Sequence, residues 1–230
     1  PGDTIGFFSP SSAATAWAPN CFARAKAYLA AQGVELKAGS LTGERDHWRS
    51  GSIAARAEEL NALIRDPEVR AIMSVIGGSN SNSLPYLDYE ALKRDPKIII
   101  GYSDVTALLL GIHARTGLVT FYGPALVASF GELSPLVDET LAGFNQICQA
   151  GGAAVPHTVP TPTQWTDERL DWEQQTRAKQ CLPNRLISVG AVPLKSKLIG
   201  GNPNTLAGIW GTPYMPPIAR GDILLLEDSL

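Results

Sequence analysis

Over its first 150 residues the chain alternates short apolar runs with segments of helical spacing, and that alternation admits few folds. Residues 4–9 (TIGFFS), 34–37, 69–76 (VRAIMSVI), 97–100 (KIII) and 118–121 read as strands. Between and after them, residues 20–32, 52–65, 89–94, 105–115 and 135–148 carry helical periodicity. Gly33 is placed to stop the first of these helices and Ser52 to cap the second. Strands that alternate with helices are joined by crossovers and pair in parallel, and such a sheet is covered on both faces. The predicted class is α/β, a mainly parallel sheet with flanking helices over residues 1–150.

The pattern changes near residue 150. Residues 151–164 (GGAAVPHTVPTPTQ) are rich in Gly, Pro and Thr and lose helical periodicity, which marks a linker. Residues 165–230 then read as a smaller, β-rich C-terminal domain that is cut short, in which strand-like runs alternate with Gly and Pro turns. Within it, residues 221–227 (GDILLLE) form a buried strand whose acidic end emerges at an edge.

Charge narrows the partners. Lys+Arg 19 against Asp+Glu 22 leaves a net charge of −3 without basic runs, which argues against polymeric nucleic acid and against an anionic membrane surface. No apolar run approaches the ~20 residues of a spanning helix. Pro1 stands where an initiating Met would, so the terminus is processed or the chain is a piece of a longer protein. Cys21, Cys148 and Cys181 are scattered, show no CxxC spacing and fit core packing in a reducing, cytoplasmic compartment.

Two junctions concentrate chemistry. At residues 98–106 (IIIGYSDVT) an apolar strand runs into Gly101-x-Ser103 and then directly into a helix. A serine at such a turn projects its hydroxyl from the sheet edge beside helix N-terminal N–H groups, as a nucleophile near an oxyanion site requires. Equally, Ser103 or Asp104 would serve as a helix cap. At residues 76–83 (IGGSNSNS) two glycines after a strand allow close backbone approach, either for a second oxyanion donor or for an ordinary turn. No Gly-Lys-Ser/Thr follows, so a phosphate loop of the Walker type is excluded. Loops at adjacent strand ends converge on the crevice where open α/β sheets bind ligands. Of the three histidines, His47 lies in a polar loop, His113 about three turns into the following helix, and His157 in the linker; none is a convincing base. No His, Cys and carboxylate set has metal-ligand spacing, so neither a metal nor another cofactor is expected.

Several motifs in order carry a family resemblance: Gly77-Gly78 after a strand, IIIGYSDVTALL at 98–109, FYGP at 121–124, LIGGNPNTLAGIWGTPYMP at 198–216 and GDILLLEDS at 221–229. Together they resemble the LD-carboxypeptidase family of serine peptidases over nearly the whole chain. GGSNSNSLPYLDY and the WTDE…DW segment are most similar to its microcin C immunity (MccF-like) branch. The resemblance implies a Ser–His–Glu triad in which Ser103 is the nucleophile and Glu227 the carboxylate, with the His farther along than the residues present. It implies an oxyanion hole from the N–H groups of Gly78 and Asp104. The family's mobile-loop aromatic that stacks on a nucleobase corresponds to Trp172, with Trp165 second, the alternative being a Trp that packs against the domain. Asn80 and Asn202 are placed at the substrate crevice, with a structural turn an equal reading for Asn202.

The implied reaction is hydrolysis of an amide-type bond in a peptidyl or aminoacyl nucleotide conjugate by a cytoplasmic homodimer. The rival within the family is a murein tetrapeptide LD-carboxypeptidase, and the rival of another class is a non-catalytic α/β ligand-binding module. Ser103 and Glu227 together favour an enzyme over the latter.

Overall fold

A computed structural model of the chain describes residues 3–148, 159, 161–190 and 195–228. The first part runs β1 (Thr4–Phe8), α1 (Ala14–Trp17), α2 (Pro19–Ala31), β2 (Glu35–Ala38), α3 (Ile53–Arg65) and β3 (Val69–Ser74). It continues with α4 (Tyr89–Arg94), β4 (Ile98–Gly101), α5 (Thr106–Thr116), β5 (Phe121–Tyr122), α6 (Leu126–Phe130) and α7 (Leu136–Cys148). The remainder holds β6 (Gln164–Trp165), β7 (Leu182–Pro183), β8 (Leu198–Gly201), α8 (Pro203–Ile209) and β9 (Ile223–Leu226). His157 and most of the expected linker lie outside the described residues.

Strands β1 to β5 form one parallel sheet in the order β2-β1-β3-β4-β5. Successive side chains on a strand face opposite ways, and here both faces are buried. Phe7, Met73 and Ile100 join the core under α2, α6 and α7, whereas Phe8, Ile72 and Ile99 join the core under α3, α4 and α5. This explains why the strands read as continuous apolar runs rather than alternating ones. The order reverses at β1, which has β2 on one side and β3 on the other. That reversal opens a crevice at the C-terminal ends of β1 and β3, next to the end of β4.

Several elements differ from the sequence expectation. The strand expected to be buried at 221–227, β9, leaves Leu224 and Leu226 exposed, because among the described residues it pairs only with β8. The fifth strand is shorter than residues 118–121, because the chain uses Leu118–Thr120 to turn out of α5: Thr120 Oγ1 donates to Leu109 O (3.0 Å) and Leu118 N–H to Thr116 Oγ1 (3.1 Å). In the C-terminal part, the GNPNT run starts a helix: Asn202 caps α8 by accepting Thr205 N–H (3.2 Å), with Pro203 at the first helical position. The rest of this part is β-containing, with an antiparallel β6–β7 pair and a parallel β8–β9 pair. Ile199, Leu206 and Ile209 tie β8 and α8 into the core beside α5. Among the described residues no helix is long and apolar enough to cross a membrane.

Candidate active site

The turn after β4 is under tension. Ser103 has φ +60°, a left-handed conformation that non-glycine residues seldom adopt without tertiary support. Gly101 permits it by close approach, since a Cβ there would lie 2.5 Å from Ser74 Oγ and 2.9 Å from Val105 Cγ1. The support is polar: Ser103 N–H donates to Tyr122 Oη (2.9 Å), and Thr106 Oγ1 donates to Ser103 O (2.6 Å). Neither Ser103 nor Asp104 caps the helix with its side chain. The buried Asp104 carboxylate instead crosses to the next loop, where it accepts the N–H groups of Asn80 and Ser81, both at 2.8 Å.

That next loop, which follows β3, is fitted against the serine turn. A Cβ on Gly77 would lie 3.0 Å from Ser103 Cβ and 3.1 Å from Asp104 N. Gly78 has φ +149°, and a Cβ there would fall 2.2 Å from Ser11 Oγ. Ser11 Oγ accepts the N–H groups of Ser79 and Asn80 (3.0 Å each) and bonds the Asn80 side chain. Arg56, 1% exposed, holds the same loop from beneath. Its guanidinium donates to Gly51 O, Pro10 O, Asn80 O and Asn82 Oδ1. Burial lowers the Arg56 pKa, and the Asp104 charge partly offsets this. Arg56 was not singled out from sequence, where it reads as one more polar position on α3.

The acidic end of the last strand also arrives here. Glu227 N–H donates to Gly201 O (3.1 Å), which extends the β8–β9 pairing, and Tyr122 Oη donates to Glu227 Oε2. Ser103 and Glu227 are therefore linked through one tyrosine. Burial first, and the Glu227 carboxylate second, raise the Tyr122 pKa, so the phenol keeps its proton.

A cleft of about 600 Å³ opens over Ser103 and the Gly78 loop, lined by Gly78, Asn80, Ser103, Asp104, Asn202 and Tyr214 among others but not by Tyr122 or Glu227. Asn202 is buried in its wall, where it caps α8 and also donates to Glu227 O (3.4 Å). An adjoining, mainly apolar cavity of about 730 Å³ includes Tyr102, Tyr122, Phe144 and Glu227.

The two tryptophans lie elsewhere. Trp172 stacks on Trp17 (centroids 5.4 Å apart), its carbonyl accepts from Arg24, and the neighbouring Glu173 caps the N-terminus of α2. Trp165, in β6, pairs with Leu182. Neither lines the cleft. His47 is exposed beside Asp46, and a ring nitrogen of His113 bonds Leu118 O; neither lines the cleft either. Among the described residues no His, Cys, Asp and Glu group could hold a metal ion.

Comparison with known proteins places this geometry in context. The profile of the LD-carboxypeptidase N-terminal domain matches residues 5–123. A protein of Vibrio cholerae serotype O1 named as a carboxypeptidase is 65% identical over 230 residues, all of this chain and 68% of the relative. The microcin C7 self-immunity protein of Escherichia coli is 51% identical over 231 residues, covering 99% of this chain and 67% of its own. The solved apo structure of a microcin C7 self-immunity protein superposes with a TM-score of 0.94 at 50% identity, over 98% of this chain and 68% of that one. Further structures of that protein hold glutamyl sulfamoyl guanosine and aspartyl sulfamoyl adenosine. A murein tetrapeptide carboxypeptidase of Pseudomonas aeruginosa is more distant, 29% identical over 207 residues, 87% of this chain and 59% of its own.

Proposed function

Because this chain belongs to the LD-carboxypeptidase family of serine peptidase-like hydrolases, we propose that it hydrolyses the amide-type bond of peptidyl or aminoacyl nucleotide conjugates. The observation that carries the reading is the left-handed Ser103 at the end of β4, with Gly77 and Gly78 packed against it. In this mechanism Ser103 Oγ attacks the carbonyl carbon while a histidine following Glu227 in chain order takes the hydroxyl proton. The N–H groups of Gly78 and Asp104 receive the developing oxyanion. The histidine returns the proton to the leaving amine, and water then releases the acyl group from Ser103. Glu227 orients the histidine and stabilises its charged form.

The substrate class is supported by identity to the E. coli immunity protein and by the sulfamoyl nucleosides bound in solved structures of its kind. Nucleobase stacking on Trp172 requires the base to reach the Trp17–Trp172 pair or the 165–181 segment to leave α2. We place the enzyme in the cytoplasm, a reading supported by three free cysteines, and as a homodimer, a reading supported by the family resemblance alone.

The test uses the full-length enzyme with aspartyl sulfamoyl adenosine and a murein tetrapeptide as competing substrates. The nucleotide conjugate is expected to have the higher kcat/KM, and Ser103→Ala to abolish turnover of both without changing the circular dichroism spectrum. A preference for the murein peptide would move the assignment to tetrapeptide trimming. Retained hydrolysis in Ser103→Ala would reject the nucleophile. If Trp172→Ala leaves KM for the nucleotide conjugate unchanged, the stacking role is rejected.

A further inference from the structure

Tyr122 occupies a position that the triad alone does not explain. It ends β5 and pairs in register with Gly101, the glycine that opens the serine turn. Its hydroxyl does two things at once, accepting Ser103 N–H and donating to Glu227 Oε2. A second tie runs parallel to it: Thr106 Oγ1 donates to Ser103 O and accepts Asn202 N–H (3.0 Å), next to Gly201 on the strand that pairs with β9. Gly201 makes the approach possible, because a Cβ there would lie 2.5 Å from Thr106 Oγ1 and 3.0 Å from the Tyr122 ring. Nucleophile and carboxylate come from segments 124 positions apart (227 − 103). Nothing in either local sequence sets their separation.

We propose that Tyr122 is a positioning residue that fixes the serine turn and the Glu227 carboxylate to each other, and moderates the charge that Glu227 presents to the catalytic base. This rests on the serine-hydrolase reading above. The phenol engages Oε2 of the carboxylate, and in the hydrolase reading the histidine takes the other oxygen. A neutral donor on a carboxylate draws off part of its negative charge. Removing that donor leaves a carboxylate that stabilises the protonated base more strongly, while the strained Ser103 loses an acceptor for its N–H.

The test compares Tyr122→Phe with wild type in the full-length enzyme on aspartyl sulfamoyl adenosine. Phenylalanine keeps the ring against Gly201 and removes only the hydroxyl. A fall in kcat on the order of 10²-fold, with KM little changed, is the expected cost of a misplaced nucleophile. The acid limb of the kcat/KM profile is expected to move to higher pH. In a Glu227→Gln background the shift of that limb should vanish, since the tyrosine acts through the carboxylate. Fluorotyrosine at position 122, which keeps the shape and strengthens the donor, should move the limb to lower pH and provides the test should Tyr122→Phe fold poorly. An acid limb that moves in neither variant, or a Tyr122→Phe limb shift of equal size with Gln at 227, would overturn the proposal. Ser103→Ala separates this outcome from failure of the hydrolase reading: activity that survives Ser103→Ala removes the premise, whereas an unmoved limb in a Ser103-dependent enzyme removes only the role of Tyr122.

Discussion

Gly77 meets Ser103 across the crevice so closely that a methyl group on residue 77 would stand 3.0 Å from Ser103 Cβ and 3.2 Å from Oγ. Two loops from different strands thus interlock only because one position has no side chain. The contact also sets where the Gly78 and Asp104 N–H groups lie, because each is the next residue along its loop.

Gly77→Ala should therefore harm turnover more than stability. The intruding methyl presses on Ser103 and on the Asp104 backbone, which yield by a few tenths of an ångström. A displacement of that size is expected to lower kcat about tenfold, at a stability cost of about 1–3 kcal/mol. Steady-state kinetics and thermal melts of the same preparation check both numbers. Unchanged kcat would mean that the loops do not set each other's position.

Arg56→Lys should destabilise the enzyme although the charge is kept. A planar fork now satisfies three backbone carbonyls and the Asn82 side chain. A single ammonium cannot reach acceptors spread over that arc, and each buried carbonyl left bare costs about 1–3 kcal/mol. The expected loss is about 2 kcal/mol or more in denaturant unfolding, with faster hydrogen exchange at the Ser79–Ser81 amides. A lysine variant as stable as wild type would show that the clamp contributes little.

Glu59 makes stability depend on pH. Its carboxyl is 1% exposed, accepts Ser9 N–H (2.8 Å) and Leu41 N–H (2.9 Å), and faces no cation within ion-pairing distance among the described residues. Burial pushes its pKa up from 4.5 to about 7, with the two backbone donors pulling the other way. The folded state then holds a proton that the unfolded chain has already lost between those values. Stability is fully present below pH 4.5 and falls as pH rises through about 7, by about 3 kcal/mol in all. Glu59→Gln cannot ionise, so its unfolding free energy should decline less between pH 5 and 8. At pH 5 it should be the weaker protein, because its amide turns a donor toward one of the two backbone N–H groups. Parallel pH curves for the two proteins would reject the account.

Much of the fold was legible because its signals are local. Apolar runs of strand length, Ser52 before a helix and Gly33 after one each act within a few residues, and the alternation of elements then requires a parallel sheet. Asn202-Pro203 belonged to the same class of signal, a cap followed by proline, yet reads as a turn until Thr205 N–H is seen to close on it. The serine turn was legible as a strand running into Gly-x-Ser, with capping left as an equal possibility. The φ of Ser103 and the reach of Asp104 to another loop separate the two. Trp172 illustrates the opposite case. Its place in a polar segment says nothing of Trp17, on which it stacks.

The sequence by itself determined the α/β class, the position of the serine turn and the glycine pair, and the family to which they point. Each of these depends on neighbouring residues or on a run of motifs in order. Only the tertiary structure decided that the strand order reverses at β1, that Arg56 and Asp104 grip one loop from two directions, and that Tyr122 joins Ser103 to Glu227. Those relationships link residues 19 to 105 positions apart. Hydrogen bonds between such distant groups are set by how helices and strands pack, and no local propensity encodes them.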